Sequence, residues 1–298
     1  MKIFLDKPPF CGYSNYMNKL NRDTQVQVLK CLIDGMSIRA TVRLTGAAKD
    51  TVTRLLVAVG NACADYQDRT LRNIKAKRIQ CDEIWSFVYA KEKNVPAEKK
   101  GQFGYGDVWT WVAIDAETKL VPSFMVGNRD ERTARIFIDD LAGRLAHRVQ
   151  LTTDGLRVYL DAVEDYFGSE IDYAMLIKNY SASQEETRYS PAVCTSCERK
   201  PVMGHPDPAH ISTSYVERQN LTMRMSMRRF TRLTNGFSKK VDNLAYNVAL
   251  YFMYYNFCRV HQTTRVTPAM EAGIEDHVWE VEDILSMMDA KEGEGSAA

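Results

Sequence analysis

Nowhere does this chain of 298 residues run for the roughly 18 uncharged apolar positions that a membrane-spanning helix needs, so a membrane partner is not expected. The opening MKIFLDKPPF holds no apolar stretch long enough for a secretory signal. Cysteine is sparse and odd in number: the seven are Cys11, Cys31, Cys63, Cys81, Cys194, Cys197 and Cys258. A disulfide framework is excluded on that count and scatter, and a reducing cytosol is the simpler setting. Hydrophobic residues at 45% and charged residues at 26% exclude disorder as the dominant state.

Net charge is almost absent, at +1, yet its distribution is uneven. Residues 1–78 carry +8, residues 79–217 carry −7, residues 218–268 carry +8 and residues 269–298 carry −8. Basic blocks suit a polyanion, and an acidic block suits divalent cations. Solvated helix faces would give the same pattern.

Residues 1–16 show neither helical nor strand period and read as a loose leader. From 17 to 64 the period is helical. Val26, Leu29 and Ile33 form a stripe that Gly35 stops, Ser37 caps a helix from Ile38 to Leu44, and a third helix is expected over Ala48 to Asn61. Three short helices with a tight turn before the last make a helix-turn-helix pattern, whose third helix enters the major groove. Lys49, Asp50, Thr53 and Arg54 would then face DNA. A small helical bundle that binds protein fits the same spacing.

Residues 65–78 read as a basic linker. The period then changes to that of strands at Ile79 to Tyr89, Val108 to Ile114 and Lys119 to Val126. Asn128 to Glu131 reads as a capping box opening a helix. A short strand from Val149, a helix from Val158 to Phe167 and a strand from Tyr173 to Ile177 follow. Residues 168–211 are the least regular segment. Two long helices, Thr213 to Leu233 and Val241 to Cys258, close a unit spanning 79–268, and 269–298 form an acidic tail whose end, KEGEGSAA, is expected to be disordered. The fold class expected is α/β, a mixed sheet with helices on its faces.

Asp82 falls inside the first strand, Asp154 at the end of the fourth and Glu217 in the first turns of a long helix; the first and fourth strands lie side by side in this type of sheet, so Asp82 and Asp154 can meet. Carboxylates in buried strands are costly unless compensated, and oxygen-only ligands point to Mg²⁺ or Mn²⁺. Two such ions could assist phosphodiester chemistry. On the helix wheel Arg224 and Arg228 share a face with Glu217, where they would hold phosphates, and Val216, Asn220, Met223, Met227 and Phe230 form the adjacent, more apolar stripe; Arg218 joins the arginines as a DNA contact.

The segments CDEIWSF (81–87), LTTDG (151–155) and TSYVERQNLTMRMSMRRFTR (213–232), with Tyr255 to His261 and Thr267-Pro268, resemble the DDE transposases of the insertion-sequence-one family. The resemblance spans about Met17 to Gly273, and against that family's spacing residues 168–211 look like an insertion. It implies a ribonuclease H-like catalytic domain behind a helix-turn-helix, with Asp82, Asp154 and Glu217 holding two Mg²⁺ ions. It also implies cutting at transposon ends, transfer of the freed strand to target DNA, at least a dimer, and a bacterial cytoplasmic, nucleoid-associated location. Family members with an N-terminal zinc finger differ from this chain, which has no such ligand set there. A domesticated DNA-binding regulator and a structure-selective nuclease remain as alternatives.

Cys194, Cys197, His205 and His210 could form a four-ligand zinc site. His261, with Asn256 and Arg259, could contact DNA or merely pack at a helix end. Glu83 is expected to point away from Asp82 and to be excluded from a shared site. Asp115 needs only a turn role, and Trp85, Trp109 and Trp111 read as core.

Overall fold

The computed structural model describes residues 20–180, 194–231 and 234–296; the expected leader at 1–16 lies outside them. Helix α1 (Arg22–Ile33) begins where Asn21 accepts a hydrogen bond from the Thr24 amide, and it buries Val26, Leu29 and Ile33. Ser37 caps α2 (Ile38–Thr45) as expected, and Gly46 closes it in the left-handed region at φ 71.

Helix α3 (Lys49–Thr70) does not stop near Asn61. It runs through the expected boundary between 64 and 65 and takes in half of the expected linker. The polar residues there suggested a connector, but Gln67 is buried, donating to the carbonyls of Cys63 and Ala249, each at 3.1 Å. One satisfied amide lets that helix face stay inside. Apolar side chains of α1, α2 and α3 pack in the same core as the sheet.

Gly60 sets how closely α3 approaches the long helix α7 (Val241–Met253). A Cβ there would sit 2.4 Å from the Tyr246 Cβ and 2.6 Å from its carbonyl oxygen. Alanine favours a helix over glycine by up to about 1 kcal/mol, and overpacking costs about 1–3 kcal/mol. Gly60→Ala is therefore expected to lower stability, and a raised denaturation midpoint would contradict the close approach.

The sheet comprises β1 (Arg78–Val88), β2 (Gly106–Asp115), β3 (Ser123–Gly127), β4 (Val149–Asp154), β5 (Ile171–Tyr180) and β6 (Cys194–Met203), in the order β3-β2-β1-β4-β5-β6. β1 runs parallel to β4, and β4 to β5; the remaining pairs are antiparallel. The mixed α/β sheet is as expected. Segment 168–211 is not outside it, since β5 and β6 extend it on one side; 181–193 fall outside the described residues. Helices α4 (Glu131–Ala142) and α5 (Val158–Phe167) lie between β3 and β5 in the chain. Asp130, not Asn128, caps α4, accepting from the Thr133 amide at 2.8 Å.

Cross-strand partners share a face. Asp82, Val112 and Phe124 lie on one, where Phe124 meets Phe252 of α7 at 4.5 Å. Glu83, Trp111 and Met125 lie on the other, where Trp111 meets Phe137 of α4 at 5.8 Å and Tyr159 of α5 at 5.3 Å. Helix α6 (Ser214–Ser226) packs on the Asp82 face and ends well before Leu233. Met227 leaves helical geometry and Phe230 turns into the core, so a short 3₁₀ turn replaces the expected last turns.

After α7 come a π turn (Tyr254–Cys258), α8 (Pro268–Glu271) and α9 (Val281–Ser296). The end of the acidic tail is thus helical from Val281 through Ser296. Ile284 and Leu285 are fully buried, and its acids meet the basic N-terminal block: Arg22 pairs with Asp289 at 2.7 Å and Lys30 with Glu282 at 3.9 Å. Part of the charge that suggested a polyanion is therefore met within the chain. Among the described residues no helix is long and apolar enough to cross a membrane.

Candidate active site

The parallel ladder of β1 with β4 runs from Arg78 opposite Gln150 to Cys81 opposite Thr153. The next residues in register are Asp82 and Asp154, so two carboxylates meet where β4 ends. Carboxylate oxygens of Asp82, Glu83 and Asp154 all lie within 4.8 Å of one another. The expected exclusion of Glu83 does not hold. Its side chain does start on the opposite face, but β4 stops at Asp154, leaving no strand between the faces at that level. The longer side chain closes the gap.

Each carboxyl of the cluster is harder to ionise than usual. Burial first, and then the charge of Asp154, push Asp82 up to about 6. Burial and Asp154 push Glu83 up to about 8, although Tyr159 and Arg129 act against this. Burial raises Asp154 as well. The Tyr159 hydroxyl donates to Glu83, and Arg129 reaches Glu83 at 3.1 Å and Asp154 at 3.6 Å. Arg129 also lies over the Trp109 ring, 4.7 Å from its centre. Trp111 is core as expected, whereas Trp85 and Trp109 are only half-buried.

Asn220 joins the candidate site, and the sequence reading missed it. It is buried on α6, its amide nitrogen donates to Asp82 at 2.8 Å, and its oxygen has no hydrogen-bond partner among the described residues. The helix wheel placed it in an apolar stripe. Its position one helical turn after Glu217 is the signal that could have found it.

Glu217 lies near enough that its charge acts on both aspartates. Its own oxygen is held by Lys178 of β5 and by the Thr213 hydroxyl. The structure therefore brings Asp82 and Asp154 together with Glu83, and ties Glu217 beside them to a lysine. Among the arginines, Arg218 is exposed on α6 and Arg224 half-buried. Arg228 is exposed but lies past the helix end, so it no longer shares a face with Glu217. At the start of α3, Lys49 and Arg54 are exposed and Thr53 is half-buried, bonding to the Lys49 carbonyl at 3.0 Å.

The zinc ligand set is not gathered. The sulfurs of Cys194 and Cys197 lie 3.6 Å apart near one end of the β5–β6 hairpin. The ladder pairs Tyr180 with Cys194 and Tyr173 with Met203, so the histidines follow its other end, about 23 Å away at about 3.3 Å per residue. There the His205 amide donates to Asp172 at 2.8 Å, and His210 sits beside Arg78 and Asp207. Proline-rich spacing without an anchoring fold could not reveal that separation.

No family model matches this chain, and no curated protein matches it. Solved structures similar to it include a piggyBac transposase synaptic complex with hairpin DNA, at 9% identity and a TM-score of 0.43, covering 91% of this chain and 73% of that one. Two others are a Mos1 transposase paired-end complex with the left transposon end, at 14% identity and TM-score 0.22, and a Mos1 mariner paired-end complex with Mn, at 12% and 0.20. Each of these covers 54% of this chain and 60% of the other. Scores this low leave the chemistry to be read from the chain's own residues.

Proposed function

We propose that this protein is a DDE-type DNA transposase, of the insertion-sequence kind its motifs resemble, acting by two-metal phosphoryl transfer on a ribonuclease H-like core. The observation that carries the reading is the meeting of Asp82, inside β1, with Asp154, at the end of the adjacent parallel β4, with Glu83 within 4.8 Å. The donor set fits Mg²⁺ or Mn²⁺: all oxygen, buried at Glu83 and half-buried at the two aspartates, mutually repelling, with one arginine shared by Glu83 and Asp154. Asp82 and Asp154 would hold the ions, with Glu217 once Lys178 releases it. When bound, such ions activate a nucleophile and stabilise the leaving oxygen of a phosphodiester.

The chain's own residues supply the rest. Asn220 orients the Asp82 carboxylate, and Tyr159 and Arg129 hold Glu83 against Asp154. Arg218, Arg224 and Arg228 grip DNA next to the cluster, while Lys49, Thr53 and Arg54 at the start of α3 contact the transposon end in the manner of a helix-turn-helix. Two ends must be processed together, so at least a dimer acts.

Incubated with supercoiled plasmid, the full chain is expected to nick DNA only with Mg²⁺ or Mn²⁺, and Asp154→Asn to lose that nicking. Nicking that survives in chelator, or in the variant, would refute the assignment. A structure-selective nuclease is the second reading, favoured by the merging of α1–α3 into the core and the acidic tail against them. Joining of a cut 3′ end to a second duplex separates the two.

A further inference from the structure

One cluster of basic groups stands apart from the carboxylates. Lys119 lies in the β2–β3 turn, left-handed at φ 65, with its ammonium 3.5 Å from the centre of the Tyr215 ring. Tyr255, in the π turn, donates its hydroxyl to the Lys119 carbonyl at 3.1 Å and takes the His261 ring edge-on at 4.9 Å. Arg259 follows that turn directly, its amide bonded to the Tyr254 carbonyl at 2.9 Å. π turns often mark functional positions.

The Lys119 ammonium donates to the Ala116 carbonyl, and no carboxylate among the described residues pairs with this group. The charges acting on His261 are those of Arg259 and Lys119, and none of the three side chains has an ion pair among the described residues. The His261 Nε2 is buried with no hydrogen-bond partner there. Burial first, and then Arg259 and Lys119, push its pKa down to about 4, so the ring is neutral near pH 7 and carries one N–H donor. Two cations and an unused neutral donor around one spot match a phosphate oxygen cluster.

The place fits as well. Asp115, just before the turn, pairs with Ile79, about 10 Å along β1 from Asp82 at about 3.3 Å per residue. Tyr215 opens α6 on the Asp82 face, its amide bonded to Gln80 at 2.8 Å. The group therefore lies on the carboxylate side of the sheet, displaced toward the strand's start.

We infer that Lys119, Arg259 and His261 form a binding site for a nucleic-acid backbone phosphate, a second grip on the strand whose cleavage site lies at Asp82 and Asp154. The inference rests on the DNA reading above and extends it to a site apart from the metal-binding carboxylates.

The test uses the full chain and a random-sequence DNA duplex, with binding followed by fluorescence anisotropy over a range of salt. Lys119→Gln with Arg259→Gln is expected to weaken binding about tenfold or more and to flatten the salt slope by about 0.9, the value for one lost phosphate contact. His261→Phe removes a neutral donor, so affinity should fall on the order of fivefold with the slope unchanged. Lys119→Arg with Arg259→Lys keeps the charge and should bind like the wild type. An unchanged Mn²⁺-induced shift in melting temperature shows that the glutamine variant is folded with its carboxylates intact. Wild-type affinity and slope in that variant would overturn the inference alone, provided Asp154→Asn still stops nicking. Failure of the wild type to bind duplex DNA would overturn the inference and the DNA reading together.

Discussion

Asp82→Asn is expected to cut divalent-cation-dependent DNA cleavage by on the order of 10³-fold or more, while making the metal-free protein more stable. The first effect follows from the metal-binding role proposed for the carboxylate, which lies within 4.8 Å of Asp154 and accepts from Asn220; losing it would remove charge stabilisation at the reacting phosphate. The second follows from the buried repulsion. Asp82 ionises in the fold near 6 instead of 3.8, so ionisation works against the fold. Below pH 4 that penalty is absent. It grows as pH rises from about 4 to 6 and is complete above, where the amide variant is spared about 1–3 kcal/mol. Denaturant unfolding in chelator at pH 7 checks this, alongside the nicking assay. A variant that is destabilised and still cuts would leave Asp82 as an ordinary strand residue.

Arg144→Met is expected to destabilise the fold by about 3–5 kcal/mol, the cost of leaving a buried charge without its partner. Arg144 is 1% exposed. It bonds Asp140 at 2.7 and 2.9 Å, Asp68 at 2.7 Å and the Leu71 carbonyl at 3.0 Å, tying the end of α3 to α4. Burial alone would raise the Asp140 pKa, but the Arg144 hydrogen bonds and charge outweigh it and hold the carboxyl down at about 2. Asp140 thus stabilises the wild type above pH 3.8, and that contribution is lost as pH falls from 3.8 towards 2. Melting curves across pH 2–5 should show this loss in the wild type and not in Arg144→Met. A melting temperature within a degree or so of wild type at pH 7 would show that the clamp carries no load.

Strands were legible where hydrophobic period and β-branched content agreed: β1, β2, β4 and α5 lie within a residue or two of expectation. That fixed Asp82 and Asp154 in the chain, and the expected adjacency of the first and fourth strands followed in the ladder. What failed depended on contacts between distant residues. The length of α3 depends on Gln67 meeting the Ala249 carbonyl, which no local pattern contains. Asn220 looked like filler in an apolar stripe because its partner is a strand residue elsewhere in the chain. Glu83 was dismissed by a period-two rule that assumes a continuous sheet, and β4 ends at that level. The pairing of Glu217 with Lys178 was equally out of reach, since β5 was read only as far as Ile177.

Manganese binding tests the central claim most directly, read as the loss of free Mn²⁺ signal by electron paramagnetic resonance during titration of the full chain. Binding that Mg²⁺ displaces, and that Asp82→Asn and Asp154→Asn each abolish, is the expected result. Equal Mn²⁺ affinity in the wild type and both variants would contradict it.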